Sequence, residues 1–399
     1  MRLADTTMIQ TPLSPPTRLP PSPGLLHSWQ RLHRLLTPLD KEACTPADCV
    51  GLSVYHYSVY KAFGHAPDAA LAQHLFQRLL PLVQPPPSGW ASGQLDQLCL
   101  VAWLHAHLAA EGKSNPQATA LLAGVDLALG QEVRHLRQQA TPGNEHDFFR
   151  VVRYFGLRQL PGAGPYLQEL LAAPLPLAGT AGPQSNGPAT QLGLGLTDGL
   201  AAHLLLLARL SQRGVPGLAL SQSVRQGVQR LLALRRDVDF TEQHYAVFPY
   251  QVHNVSGLTS FSPELSWRRG DLGQALLLYE AQALLQDSEL TRIGELVGLN
   301  TLLRTTEPTT QVTNSLLYRG AAGVAHLYYK LYHASGQHPA YQRGYLFWLD
   351  QTQTWLHHEL ATGFYQNRES ELLHGLVGVG LVLLSALAGR PLDWDTAVL

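Results

Sequence analysis

From Leu25 onward, apolar residues recur at intervals of three and four, the spacing that lines one face of an α-helix. The clearest runs are "LLHSWQRLHRLL" from Leu25, "AALAQHLFQRLLPLV" from Ala69, "LCLVAWLHAHLAA" from Leu98, "AAHLLLLARLSQRG" from Ala201 and "SVRQGVQRLLALRR" from Ser223. Alternating runs of β-branched residues, which mark half-buried strands, are scarce. Gly or Pro closes most of the periodic segments, as helix ends require. The pattern predicts an all-α protein. Two stretches interrupt it. Residues 173–193, "APLPLAGTAGPQSNGPATQLG", have the composition of a loop or linker. Residues 248–267, "FPYQVHNVSGLTSFSPELSW", read as a long irregular loop, and loops of that length in a helical protein often line a site.

Four of the helical runs are copies of one pattern. "LTDGLAAHLLLLARL" from Leu196, "WRRGDLGQALLLYEA" from Trp267, "LYRGAAGVAHLYYKLY" from Leu317 and "LLHGLVGVGLVLLSAL" from Leu372 each carry a Gly, a second small residue three positions later, and an apolar helix. The pairs are Gly199/Ala202, Gly270/Gly273, Gly320/Gly323 and Gly375/Gly378, with lead glycines 71, 50 and 55 residues apart. Each interval holds one further helical segment, so the unit is helix, loop, G-x-x-G helix. A second small residue one turn into a helix lets a neighbouring backbone come close. Such units suit an inner ring of crowded helices wrapped by an outer ring. Weaker echoes begin at Cys49, Ser92 and His146, and together they predict an α/α toroid of six to seven helix pairs.

Composition narrows the function classes. With 399 residues and 45% hydrophobic residues, the chain can bury a large core, read here as one domain over 24–399. Residues 1–23, rich in Pro and Thr, read as a disordered or extended tail. Charged residues are only 14% and the net charge is -1, which argues against a nucleic-acid binder. Cys44, Cys49 and Cys99 are too few for a disulfide framework, and their spacing makes a poor zinc pattern. No run of 18 or more apolar residues occurs and the N-terminus has no signal-peptide core, so neither membrane insertion nor export is expected, and the expected location is cytoplasmic. Phosphate loops, dinucleotide fingerprints, H-E-x-x-H and G-x-S-x-G elements are absent from the sequence. His253, His326, His357, His358 and His374 read as structural histidines, although His374 precedes Gly375 and is placed to face the ring centre.

These repeats resemble the lanthionine synthetase C-like (LanC-like) proteins, the cyclases of lanthipeptide biosynthesis. The resemblance spans nearly the whole chain in its repeats and is sharpest from Leu192 to the C-terminus. It implies a toroid of seven inner and seven outer helices with one central zinc, which activates a cysteine thiol for addition to a dehydroamino acid. In that family the zinc ligands come from a W-C-x-G and a C-H-G element at the starts of two successive inner helices. Here the first reads Trp267-Arg268-Arg269-Gly270 and the second Tyr318-Arg319-Gly320. Arg268 and Tyr318 thus stand at the cysteine positions and Arg319 at the histidine position. A family histidine in G-L-x-H-G corresponds to Asp198, and an arginine three residues before the Trp corresponds to Glu264. The acidic residue of the third inner helix aligns loosely with Asp147.

Arginine offers donors only and is never deprotonated in a protein, so this set predicts neither bound zinc nor any other cofactor. Two readings of the arginines follow. Arg268 or Arg319 pairs with Asp198, Glu264 or Asp271 and plugs a disused cavity, or the guanidiniums hold an anion such as a peptide carboxylate or acidic side chain. The residues expected to bind are Trp267, Arg268, Arg269, Asp271, Tyr318, Arg319 and His374. Asp198 and Glu264 are the candidates for acid or base work. The resulting expectation is a degenerate cyclase that binds a precursor peptide or a dehydratase-type partner enzyme. The alternatives are a zinc-independent enzyme acting on dehydroamino-acid peptides and, by fold analogy, a glycan-active enzyme needing two carboxylates.

Overall fold

The computed structural model describes residues 23–37, 45–83, 90, 92–113, 115–139, 145–158, 164–171, 191–197, 199–215, 218–253 and 256–398. The expectations for the tail (1–22), for most of the linker (173–190), for Cys44 and for Asp198 fall outside these residues. The helices in chain order are α1 (Pro23–Leu36), α2 (Pro46–Phe63), α3 (Ala66–Leu79), α4 (Ser92–Ala110), α5 (Pro116–Gln139), α6 (Glu145–Arg158), α7 (Gly164–Leu171), α8 (Leu200–Gln212), α9 (Leu218–Ala233), α10 (Asp271–Leu285), α11 (Ser288–Thr301), the short α12 (Glu307–Thr310), α13 (Ala321–Ala334), α14 (Pro339–Thr362) and α15 (Leu376–Ala388). Local chemistry fixes their ends. At α2, for example, Thr45 caps the Asp48 amide, Asp48 caps Thr45 in return, and left-handed Gly64 ends the helix.

Seven helices form a closed inner ring. Contacts run α2 to α4, α4 to α6, α6 to α8, α8 to α10, α10 to α13, α13 to α15, and from α15 back to α2. The weak echoes at Cys49, Ser92 and His146 are the first three of these inner helices. The outer helices are amphipathic and cover the ring, with α3 against α2, α9 against α8, α11 against α10, α14 against α13 and α1 against α15. This is the all-α toroid expected from the repeats.

The second glycine of the last three repeats explains how the inner helices crowd together. A β-carbon at Gly273 would lie 2.6 Å from Leu196, one at Gly323 would lie 3.1 Å from Trp267, and one at Gly378 would lie 2.8 Å from Leu317. Leu196, Trp267 and Leu317 hold the same place in successive repeats. Each therefore packs into the notch left by the next repeat's missing side chain. Backbone bonds follow the same circuit: Leu196 N donates to Arg268 O (3.0 Å), Arg268 N to Tyr318 O (3.2 Å), and Tyr318 N to Leu373 O (3.1 Å).

Large side chains fill the ring beneath the starts of α10 and α13. Trp267 and Trp394 are fully buried, and His326 of α13 lies between them at ring-centroid distances of 5.4 and 4.6 Å. The C-terminal turn Asp393–Ala397 packs against α4 at the other end of the ring. There, buried Asp395 accepts from Lys330 Nζ (2.8 Å) and His326 Nε2 (3.3 Å). One detail departs from the all-helical pattern. A small antiparallel sheet joins β1 (Gln191–Gly193), β2 (Gln251–His253) and β3 (Thr259–Ser260) in that order. The expected linker thus ends in a strand, and the stretch 248–267 contains two. Strands of two or three residues are too short to show alternation in sequence.

Candidate functional site

The nominated side chains gather where α8, α10, α13 and α15 begin. Gly199, Gly270, Gly320 and Gly375 are the N-cap residues of these four helices. Only Gly270 has a left-handed φ (+114°), and a β-carbon there would overlap the Glu264 carbonyl. That turn brings Glu264 back over the start of α10. It places the Glu264 carboxylate against the arginines of two repeats.

Glu264 is buried and has three partners. Arg269 Nε donates to Oε2 (2.5 Å), Ser266 Oγ donates to Oε1 (2.7 Å), and Arg319 reaches both oxygens at 3.3 Å. Burial alone would raise its pKa, but hydrogen bonds from Ser266, Arg269 and Arg319 outweigh that and hold the carboxyl below its ordinary range. Glu264 is therefore an anion at neutral pH and a weak proton acceptor. Two guanidiniums against one carboxylate leave the cluster net positive, and the Arg319 side chain is 48% exposed. Arg269 also stacks over Tyr250 at 4.5 Å.

A second row is aromatic. The Arg268 guanidinium lies 5.9 Å from the Tyr318 ring centre, and Tyr318 meets exposed His374 edge-on at 4.6 Å. Arg268 has no carboxylate partner among the described residues. Arg268, Arg269, Tyr318, Arg319 and His374 thus share one partly exposed mouth. Trp267 and Asp271 do not. Trp267 is buried beneath it, and Asp271 is turned into the wall of the ring. Asp147 pairs with Arg150 on its own helix (3.1 Å).

Asp271 accepts from Val247 N (3.1 Å), Phe248 N (3.0 Å) and Arg304 (2.9 Å). Arg304 also donates to the carbonyls of Thr309, Tyr245 and Pro263. Burial pushes the Asp271 carboxyl up and the Arg304 guanidinium down, against their mutual attraction. This pair ties the Tyr245–Phe248 segment, the loop that carries Glu264 and the short α12 to the start of α10. Sequence reasoning missed Arg304, Tyr250 and Ser266. Arg304 follows a helix in a polar stretch and looks like any surface arginine there.

The donor set decides what the mouth can hold. Arg268, Tyr318 and Arg319 present guanidiniums and one phenol, which do not fit zinc, whereas guanidinium forks and helix N-termini suit an anion. A separate cavity of about 650 Å³, lined by Trp103, His107, Phe155, Leu210, Arg213 and Asp393, lies at the other ends of the inner helices. It contains none of the nominated residues.

The fold can now be compared with known proteins. No model of a protein family matches the sequence, and no curated protein sequence does. The structure is similar to that of nisin cyclase, with a TM-score of 0.64 and 13% sequence identity, over 92% of this chain and 98% of that chain. At that identity the likeness is one of fold. No described helix is long and apolar enough to cross a membrane.

Proposed function

We propose that this protein is a LanC-like component of lanthipeptide-type peptide modification that binds a precursor peptide and has lost zinc-dependent cyclisation. What supports this reading is that Arg268, Tyr318 and Arg319 stand at two successive inner-helix starts, where the resemblance to the LanC-like proteins leads one to expect zinc ligands, on a fold similar to that of nisin cyclase. Arg268 and the exposed flank of Arg319 would take a peptide carboxylate or acidic side chain, and Tyr318 and His374 would stack on its neighbours. Glu264 neutralises part of the cluster and sets the positions of Arg269 and Arg319. A dehydratase-type enzyme is the partner that would supply such a peptide, and both would meet in the cytoplasm.

The zinc-independent enzyme is the weaker reading, because Glu264 is held ionised by two arginines and a serine and so makes a poor general base. The test is to incubate the protein, with and without added zinc, with a dehydrated, Cys-bearing precursor peptide. Binding should be saturable while the peptide keeps its free thiol by alkylation and mass spectrometry. Zinc-dependent loss of that thiol at a catalytic rate would overturn the proposal.

A further inference from the structure

Far from the mouth, where the ring closes, three imidazoles surround one buried carboxylate. Asp68, in the first turn of α3, has a side chain only 4% exposed. His56 of α2 approaches its Oδ1 through Nδ1 at 2.5 Å, and His65, the N-cap residue of α3, approaches Oδ2 through Nδ1 at 2.5 Å. His33, in the last turn of α1, places Nε2 4.0 Å from Oδ1. Ligand atoms from His33, His56 and Asp68 all lie within 4.8 Å of one another.

Three features of this cluster exceed what helix packing needs. First, the other nitrogen of His56, Nε2, is buried with no hydrogen-bond partner. With no partner at Nε2 to fix the His56 tautomer, Nδ1 is free to turn a lone pair toward Oδ1 and share a cation with it. Second, His33 Nδ1 lies 3.2 Å from the Tyr55 hydroxyl. In the tautomer whose Nδ1–H donates to Tyr55, the Nε2 lone pair faces the carboxylate and is free to take a cation between them. An outer partner that fixes the tautomer in this way is the usual support of a metal-binding histidine. Third, the His33 ring is held in place by stacking on Trp29 at 4.9 Å.

The geometry points to a transition-metal site of the zinc class, with His33, His56 and Asp68 as ligands and His65, which is 56% exposed, as the fourth. Three nitrogens and one carboxylate oxygen are a tetrahedral zinc set. Bond lengths of about 2.0–2.2 Å put co-ligands roughly 3.3 Å apart, so on metal entry His56 and His65 would draw back from Asp68 and His33 would close on it, each by less than about 1 Å. The ligands come from α1, α2 and α3. Because α1 covers α15 and α15 meets α2, a metal here would clasp the seam of the toroid. It would act structurally, since it lies apart from the arginines of the mouth.

The test uses the full chain without an affinity tag, stripped with chelator and titrated with zinc alone against a chromophoric competitor. One zinc should bind per chain, and the melting temperature should rise by several degrees with saturating metal. His33→Ala, a partly exposed substitution that should fold, is expected to weaken binding by about 100-fold or more. Arg292→Ala, at an exposed position of α11, should bind as the parent does. As a readout independent of variants, cobalt(II) on the parent protein should give the visible absorption of a tetrahedral nitrogen and oxygen site, bleached by zinc. No stoichiometric binding by the parent, or unchanged affinity in His33→Ala, overturns the assignment.

Discussion

The buried pair Arg304–Asp271 allows the sharpest quantitative prediction. Both side chains are 0% exposed, and their charged groups are 2.9 Å apart. Asp271→Asn removes the negative charge and leaves a guanidinium buried without its counter-ion. Breaking such a pair on one side costs about 3–5 kcal/mol. The variant should therefore unfold about 10²–10⁴ times more readily at equilibrium. Replacing both partners by leucine should not restore stability. That change strands the amides of Val247 and Phe248 and the carbonyls of Pro263 and Thr309, which the pair now satisfies. Urea unfolding followed by circular dichroism measures the loss, and amide hydrogen exchange at Val247 and Phe248 should quicken in the same variant. Arg292→Ala, at the exposed pair with Glu289, is the control and should leave the midpoint unchanged. A loss below about 1 kcal/mol for Asp271→Asn, the size expected of a surface pair, would refute the role given to this anchor.

Other consequences follow from the same contacts. Gly323→Ala would push a methyl into the Leu317 carbonyl and to 3.1 Å from Trp267. It should cost about 1–3 kcal/mol in the same unfolding assay. Burial, reinforced by His146, Arg153 and Arg150, pushes His203 well below its usual range, and burial also lowers His326. An unfolded histidine takes its proton near pH 6.5 whereas these folded ones resist it, so the stability they contribute is complete above 6.5 and is lost as pH falls. The melting temperature should hold from about pH 8 to 7 and drop between about pH 6.5 and 5. His203→Phe, which can keep the 3.9 Å stack on Phe149, should flatten that drop, and an unchanged slope would contradict the assignment.

Much of the scaffold is legible in the chain. Helical periodicity and the Gly pairs identify the four sharp repeats, and the Gly that opens each pair is the N-cap residue of an inner helix. The pairs work in sequence because at Gly273, Gly323 and Gly378 a β-carbon would collide with the preceding repeat or with the turn before the helix. Long-range pairing is what periodicity does not reveal. Arg304 lies 33 residues from Asp271. Asp271 looks ring-facing from its place after Gly270, but the fold turns it toward backbone amides 23 and 24 residues earlier. Likewise His33, His56 and Asp68 follow no metal-binding spacing, since α1 reaches α2 and α3 only through closure of the toroid. Arg268, Arg269, Tyr318 and Arg319 were nominated because they flank those glycines. Their division into an ionic row on Glu264 and an aromatic row on Tyr318 emerges only in three dimensions.

The proposed role of the arginine mouth is to hold an anionic peptide. The most direct test is a titration of a fluorescent dehydrated precursor peptide with the parent protein and with the Arg268→Ala/Arg319→Ala double variant, at low and high salt. The parent should bind saturably and more weakly as salt rises, and the folded double variant should lose at least about tenfold in affinity, as expected for charge-assisted bonds. Equal affinity in the two proteins, at either salt concentration, would contradict it.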